Sequence, residues 1–192
     1  METVITHNHK LPPLQSTKEN GPKPTKKLNT NYRIPLNVYH QNIRGLRGKT
    51  NELIGHLHPV PPQLFCFTEH HMRWEELQQI SINDYKLAAY FCRSSYAKGG
   101  VCMYAHKSLE AESIDIENYC KEKDIEACAI KLNLNSTHIC IITTYRAPSG
   151  NFNFFMNKLD AILRNLHNPA LEFIICGDIN IDYLKNTDKK NN

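Results

Sequence analysis

Residues 172–180 read EFIICGDIN, an apolar run that stops at Gly177 and is followed at once by Asp178 and, two residues on, Asn180. A short apolar run bounded by a glycine turn is typical of a buried strand. The strand determines where its last residue points, whereas the loop beyond it stays open to a substrate. The stretch therefore predicts a strand that presents Asp178 and Asn180 at its end.

The chain upstream of this stretch alternates between strand and helix patterns. Residues 151–166 carry apolar side chains at helical spacing, which predicts the best helix of the chain. Two apolar runs flank Asn135-Ser136, at residues 125–134 and 137–145, and predict a β-hairpin. Further strands are predicted at residues 34–42, 63–68, 85–92 and 100–105, a short helix at 49–57, and one or two helical turns at 74–80.

The order of these elements predicts both the fold class and the domain division. It favours an α/β sandwich with mixed, largely antiparallel sheets over a purely parallel, doubly wound sheet. We assign the sandwich to residues 34–192 and a disordered leader, rich in Pro, Asn and Lys, to residues 1–33. The leader holds six basic and two acidic side chains, whereas the remainder is balanced, so the net charge of +4 belongs to the leader. Such a segment can assist the binding of a polyanion.

The composition argues against several classes of protein. The mean hydropathy is −0.50, and no apolar run approaches the roughly 20 residues of a membrane span, so we predict no membrane insertion. The N-terminus lacks the apolar centre of a signal peptide. The seven cysteines include no C-x-x-C pair, which argues against a zinc ribbon and predicts reduced, mostly buried thiols in an intracellular protein.

Polar residues at other predicted strand ends extend the candidate site. Asn42 follows the first strand, Glu69 follows the second, and Tyr145 ends the hairpin. The carboxylates of Glu69 and Asp178 offer hard oxygen ligands, which suit Mg²⁺ or Mn²⁺ better than zinc. Asn42 and Asn180 can form hydrogen bonds without adding charge, and Tyr145 offers a hydroxyl to a phosphate oxygen. Together these groups predict a metal-assisted phosphodiester hydrolase.

Each of these residues alone has a commoner structural explanation. Asn42 and Asp178 are of types that often occupy turns, Glu69 fits a solvated strand end, and Tyr145 fits the edge of a core. The inference rests on their joint occurrence at the ends of apolar strands, in one order along the chain.

Two arginines close to these residues are candidate contacts for substrate phosphates. Arg44 lies in the turn after Asn42, and Arg146 directly follows Tyr145. Guanidinium groups commonly bind the phosphates of nucleic acids. A solvated loop explains Arg44 equally well, whereas Arg146 is expected at the mouth of the site.

Five short motifs, in one order, resemble the endonuclease/exonuclease/phosphatase family, and most closely the apurinic-type endonuclease domain of non-LTR retrotransposons. The resemblance spans about residues 36–184. The motifs are HQNIRG at residues 40–45, TEHH at 68–71, KGGV at 98–101, YRAP at 145–148 and CGDIN at 176–180.

This resemblance implies a four-layered, DNase I-like α/β sandwich that nicks DNA with Mg²⁺ or Mn²⁺. By motif match, Glu69 binds the metal, Asn42 positions the metal-bound phosphate, and Tyr145 contacts the scissile phosphate. Asp178 activates or orients the attacking water, and Asn180 stabilises the phosphate or the metal shell. The same match assigns His71 a supporting role beside the site, and it makes Gly99 and Gly100 a structural turn. A nuclease acting on chromosomal DNA is expected in the nucleus.

The sequence departs from the family pattern at its C-terminal end. The family's site closes with a Ser-Asp-His type motif, whereas the last histidine here is His167, and only Asp182 and Asp188 add acidic groups after Asn180. We therefore expect a C-terminally truncated domain that is inactive alone. Two alternatives stay open at this point: a non-catalytic DNA- or protein-binding module, and a phosphatase of the same fold.

Overall fold

The computed structural model describes residues 2–7, 36–50, 61–134 and 137–181, the first of these ranges as backbone only. Its strands are β1 (Glu2–His7), β2 (Leu36–Asn42), β3 (Leu64–Thr68), β4 (Tyr85–Phe91), β5 (Val101–His106), β6 (Ala111–Ile114), β7 (Glu126–Leu134), β8 (Thr137–Tyr145) and β9 (Leu171–Asp178). Its helices are α1 (Trp74–Leu77) and α2 (Phe152–Leu166), and a 3₁₀ turn spans Glu117–Tyr119.

The strands form two mixed sheets, with the orders β1-β2-β3-β5-β4 and β6-β7-β8-β9. The pairs β2–β3 and β8–β9 are parallel, and the other neighbouring pairs are antiparallel. This arrangement confirms the predicted α/β sandwich with mixed, largely antiparallel sheets.

The central core lies between the two sheets, because alternate side chains of each strand point towards the opposite sheet. Leu36 and Val38 of β2 belong to this core together with Ile130 and Leu132 of β7. Burying this double layer of branched side chains is the main favourable contribution to folding.

Two outer layers cover the other faces of the sheets. Phe65 and Phe67 of β3 pack with Leu77 of α1 on the outside of the first sheet. On the outside of the second sheet, α2 buries Phe155 and Ile162 against β7 and β8. The side chain of Asn151 accepts a hydrogen bond from Phe154 N–H (2.9 Å) and caps α2.

The sequence-predicted elements agree with the structure over most of the described residues. The predicted strands and the helix at 151–166 are confirmed, with ends shifted by one or two residues. The helical turns predicted at 74–80 shorten to α1. The predicted helix at 49–57 lies mostly outside the described residues, as does the hairpin turn at Asn135-Ser136.

The prediction of a disordered leader was wrong for Glu2–His7, because this segment forms β1. It pairs antiparallel with β2 along the edge that β3 leaves free. Thr3-Val4-Ile5-Thr6 is a run of four β-branched residues, which fit a pleated sheet, and the overall composition of residues 1–33 obscures this short run. Residues 8–33 lie outside the described residues, and the predicted domain division stays a prediction.

The seven cysteines are all free, and five of them are buried, which confirms the expected burial of most thiols. None of the described helices is long and apolar enough to cross a membrane.

Candidate active site

The two parallel strand pairs bring the predicted site residues to one end of the sandwich. In the first sheet, Asn42 of β2 lies beside Thr68 of β3, and Glu69 follows directly. In the second sheet, Tyr145 of β8 lies beside Asp178 of β9. Parallel strands end at the same edge of a sheet, so each pair delivers its last polar residues to the same place.

The side-chain amide of Asn42 links the two sheets. Its Nδ2 donates hydrogen bonds to Glu69 Oε1 (2.9 Å) and to Asp178 Oδ2 (2.7 Å), while its Oδ1 accepts from Arg44 N–H (3.3 Å). One neutral amide thus holds two carboxylates, from opposite sheets, at a common point. This contact largely determines how the two carboxylates are placed relative to each other.

Glu69 is partly buried but remains a stronger acid than usual. Burial raises the pKa of its carboxyl, whereas hydrogen bonds from Asn42, Tyr145 and His71 lower it, and the net pKa lies below the ordinary glutamate value. His71 Nε2 stands 3.1 Å from Glu69 Oε2. The site therefore keeps Glu69 ionised at neutral pH and fixes its orientation from three sides.

Tyr145 and Asn180 support the two carboxylates in different ways. The Tyr145 hydroxyl donates to Glu69, and burial, followed by that contact, raises the pKa of the phenol, so it stays a neutral hydrogen-bond donor. Asn180 N–H donates to Asp178 Oδ1 (3.1 Å), and its side-chain amide donates to Arg146 O (2.8 Å). Asn180 therefore closes the loop that orients Asp178.

The loops at this end adopt backbone conformations that non-glycine residues rarely occupy. Glu69, His71 and Asn180 have φ angles of 57°, 59° and 50°. Conformations of this kind cost on the order of 1–3 kcal/mol each and persist only where other contacts enforce them. Here Glu69 O accepts from Gly45 N–H (2.7 Å), and His71 N–H donates to Gly99 O (2.8 Å). The site geometry is thus imposed on the loops by neighbouring backbone.

The structure gives Arg146 a different task from the phosphate contact predicted for it. The residue is 6% exposed. Its guanidinium donates to the carbonyls of Ile179 (2.9 Å), Gly150 (2.6 Å), Asn180 (2.8 Å) and Ala147 (3.2 Å). These bonds consume the group that a phosphate would need, so Arg146 fastens the loop after β9. Arg44, by contrast, is exposed at the mouth of the site.

Sequence analysis missed a buried ion pair beneath the site. Arg93 and Glu126 are 7% and 0% exposed, and their side chains meet at 2.5 Å. Glu126 also accepts from Gly100 N–H (2.6 Å) and from Lys123 N–H (2.8 Å). The Arg93 guanidinium lies 5.9 Å from the centre of the Tyr145 ring. A glutamate at an inward position of the apolar run β7 was the signal that could have revealed it.

Gly99 and Gly100 have the structural role that the sequence predicted. Their φ angles are 111° and 85°, in the region that favours glycine. A Cβ atom at Gly99 would collide with the Arg93 guanidinium, and one at Gly100 would collide with the His70 ring. The two glycines therefore permit the buried pair and the buried histidine to lie directly against the turn.

We expect His70 to make the stability of the chain depend on pH. The residue is fully buried; Met72 N–H donates to its Nδ1 (3.1 Å), and its Nε2 donates to Phe91 O (3.0 Å). Burial lowers the pKa of this imidazole to about 4. In the unfolded chain the imidazole of His70 takes up a proton at about pH 6.5. The contribution of neutral His70 to the free energy of unfolding is therefore fully present above that pH and is lost progressively as the pH falls towards 4. We expect a loss of about 2 kcal/mol at pH 5.

Urea unfolding between pH 7 and pH 4.5, in EDTA, checks this expectation. The His70→Gln variant keeps a donor and an acceptor but does not titrate, so its stability should vary less over the same range. Equal pH slopes in the two proteins would show that His70 is not the group responsible.

The donor set fits a hard divalent cation. Mg²⁺ is usually held by one or two carboxylates and keeps several water molecules, which matches Glu69 and Asp178 beside the Asn42 amide. A zinc site would need three or four nitrogen or sulfur ligands, and no group of three or more His, Cys, Asp or Glu suited to a metal occurs among the described residues.

The sequence of the chain matches the model of the Endonuclease/Exonuclease/phosphatase family over residues 36–188. This match includes all the residues that Asn42 brings together, and every strand of the sandwich except β1. The chain belongs to the Endonuclease/Exonuclease/phosphatase family. Comparison with curated protein sequences finds no match.

Solved structures of this family's fold resemble the chain at low sequence identity. The endonuclease domain of TRAS1, a telomere-specific non-LTR retrotransposon, superposes with a TM-score of 0.56 at 12% identity, over 77% of this chain and 60% of that one. The AP endonuclease LMAP from Leishmania major gives 0.53 at 19% identity, over 73% and 54%. TDP2 from D. rerio, complexed with a single strand DNA product, gives 0.54 at 13%, over 76% and 60%.

Identities this low show a shared fold and leave the substrate open. The chain spans 54–60% of the length of these three relatives. What the residues around Asn42 can do chemically therefore follows from their own geometry.

Proposed function

We propose that the chain carries the carboxylate half of a divalent-metal-dependent phosphodiester hydrolase site that acts on DNA, of non-LTR retrotransposon origin. The single observation that supports this most strongly is the Asn42 amide, which joins Glu69 and Asp178 from opposite sheets. Two carboxylates converging on one amide form an open group of hard oxygens at the end of the sandwich, where a phosphodiester and Mg²⁺ or Mn²⁺ can approach.

Each residue of the group has a definite task in this proposal. Glu69 would hold the cation through its oriented carboxylate, and Asn42 keeps that carboxylate beside Asp178, whose negative charge would strengthen the binding. Asp178 orients a water molecule and accepts its proton as the water attacks phosphorus. The neutral Tyr145 hydroxyl, which donates to Glu69 in the structure, would turn its proton to a non-bridging phosphate oxygen when a phosphodiester binds. A divalent cation bound there supplies positive charge next to the phosphate and lowers the pKa of water.

The remaining requirement is a proton for the leaving oxygen, and none of the histidines near the site, among the described residues, is free to donate it. His71 is engaged with Glu69, His70 with Phe91 and Met72, and His40 is buried beneath the site. Positioned acid–base groups contribute typically about 10²–10⁴-fold to a rate. We therefore propose that this 192-residue chain alone cleaves DNA weakly or not at all.

Incubation with supercoiled plasmid, in Mg²⁺ or in EDTA, tests the proposal. Cleavage by the purified chain should be at least ~10²-fold slower than by a nuclease with the full acid–base set, and any nicking should disappear in Glu69→Ala and Asp178→Ala. DNA binding, followed by fluorescence anisotropy, should be tighter with Ca²⁺ than with EDTA, because a cation held at the carboxylates would offset their repulsion of a phosphate.

The matched control is Glu112→Ala, which removes an exposed carboxylate on β6, away from the site. The proposal fails if nicking survives in both site variants. It also fails if the folded chain neither nicks DNA nor gains affinity for DNA when a divalent cation is added.

A further inference from the structure

A cavity of about 310 Å³ opens beside the carboxylates of Glu69 and Asp178. His71 belongs to both places, since its Nε2 contacts Glu69 and its ring lines this cavity. The rest of the wall includes Arg47, Arg73, Tyr96 and Lys98. The cavity therefore lies next to the proposed scissile position, and basic side chains dominate its lining.

The wall formed by residues 94–99 is held in place by a carboxylate from another part of the chain. Glu122 accepts hydrogen bonds from the backbone N–H groups of Ser94 (2.5 Å), Ser95 (2.9 Å) and Tyr96 (3.1 Å). Burial raises the pKa of Glu122, but these hydrogen bonds lower it further, so the net pKa lies below its ordinary value. An ionised Glu122 thus anchors three successive residues of a loop that has no regular structure.

Two more contacts fix this loop. Lys123 Nζ lies 3.2 Å from the centre of the Tyr96 ring, and Arg73 donates to the carbonyls of Arg93 (2.9 Å) and Ser94. These anchors hold the chain up to Tyr96, two residues before Lys98.

The charges of the cavity do not cancel. Arg47 pairs with Glu76, and Arg93 pairs with Glu126. Lys98, in contrast, is exposed and has no acidic partner within the described part of the chain, and Arg73 bonds only to carbonyl oxygens. The cavity therefore presents two uncompensated positive charges, which attract an anion.

We propose that this cavity binds a phosphate of a nucleic-acid strand through Lys98 and Arg73. The neighbouring phosphodiester of the same strand lies at the carboxylates of Glu69 and Asp178. Glu122 is the positioning residue that keeps Lys98 there. The inference rests on the proposed function and narrows it, because a second phosphate site selects a polynucleotide over a small phosphomonoester.

Binding of a fluorescent single-stranded oligonucleotide, in Ca²⁺ and at several salt concentrations, tests the cavity. Lys98→Met should weaken binding several-fold and reduce the slope of log Kd against log salt by about 0.7, the contribution of one phosphate contact. Lys107→Met is the matched control, because Lys107 is an exposed lysine in the turn after β5 and should leave both quantities unchanged.

The role of Glu122 is tested by combining variants. Glu122→Gln should weaken binding in the wild-type chain but add little in the Lys98→Met background, because both substitutions remove the same contact. A merely structural role would give additive losses. A dinucleotide should also compete better than a mononucleotide, and this advantage should vanish in Lys98→Met.

The outcomes separate this inference from the proposed function. If the wild-type chain shows no affinity for the oligonucleotide, the second phosphate site is overturned, and the proposed function is overturned with it only if the chain also fails to nick plasmid DNA. If it binds in a Ca²⁺-dependent way, but Lys98→Met behaves like Lys107→Met, the second phosphate site alone is overturned. Lys98 is exposed, so misfolding does not explain its variant, and a thermal melt verifies the fold of Glu122→Gln.

Discussion

Glu126→Gln is expected to lower the free energy of unfolding by about 3–5 kcal/mol, because it leaves the guanidinium of Arg93 buried without its counter-charge. Arg93 and Glu126 are both almost fully buried, so water cannot replace the lost partner. Arg93→Met should lower the free energy of unfolding by a similar amount, because the carboxylate of Glu126 is then left buried without its counter-charge.

The double variant Arg93→Met/Glu126→Leu should recover only part of this loss. Replacing a buried pair with apolar side chains is often close to neutral. Here, however, Glu126 also accepts from the backbone N–H groups of Gly100 and Lys123. Both donors would lose their acceptor, and the buried N–H of Gly100 alone would cost about 1–3 kcal/mol.

Urea unfolding of the three variants measures these differences. Arg164→Met serves as the control, because its ion pair with Asp160 is exposed on α2 and should contribute little. A change in Glu126→Gln no larger than that in Arg164→Met would contradict the account of the buried pair. The pair also secures the turn that receives His71 N–H at Gly99, so its loss should loosen the site.

Divalent cations are expected to stabilise the wild-type chain by about 2.7 kcal/mol when their concentration is a hundred times the dissociation constant. The physical reason is the convergence of Glu69 and Asp178 on the amide of Asn42. In the proposed site a cation would bind where these carboxylates converge in the folded chain, whereas the unfolded chain separates them.

Glu69→Gln and Asp178→Asn should abolish this stabilisation, and Glu112→Gln should retain it. Without a metal, Asp178→Asn should change the stability little, because removing a negative charge from beside Glu69 offsets the loss of one of the two hydrogen bonds that Asp178 accepts from Asn42 and Asn180. Thermal unfolding with Mg²⁺, compared with NaCl of the same ionic strength, distinguishes specific binding from screening. Equal stabilisation of the wild type and both site variants would contradict the assignment.

The sequence was sufficient to predict the parts of the fold that local patterns encode. The apolar run at 172–177 and the helical spacing at 151–166 correspond to β9 and α2. The hairpin runs correspond to β7 and β8, which pair from Glu126↔Tyr145 to Leu134↔Thr137. Strand ends follow from these runs, and this is why Asn42, Glu69, Tyr145 and Asp178 could be selected as candidates.

Features that depend on distant partners were missed. Strand β6 at Ala111–Ile114 is short and mixed in polarity, and it exists because β7 offers its edge. The positions of Arg146 and Glu122 depend on hydrogen bonds to backbone groups far along the chain. No local sequence pattern indicates these bonds. An arginine next to a motif indicates a substrate contact only if its donors are free, and those of Arg146 are occupied.

Titration of the chain with Mn²⁺, followed by the electron paramagnetic resonance signal of the free ion, tests the central claim most directly. The account predicts one Mn²⁺ bound per wild-type chain, displaced by Mg²⁺, and unbound in both Glu69→Gln and Asp178→Asn. Mn²⁺ binding that persists undiminished in both variants, or that is absent from the folded wild-type chain, would contradict the claim that these two carboxylates form a divalent metal site.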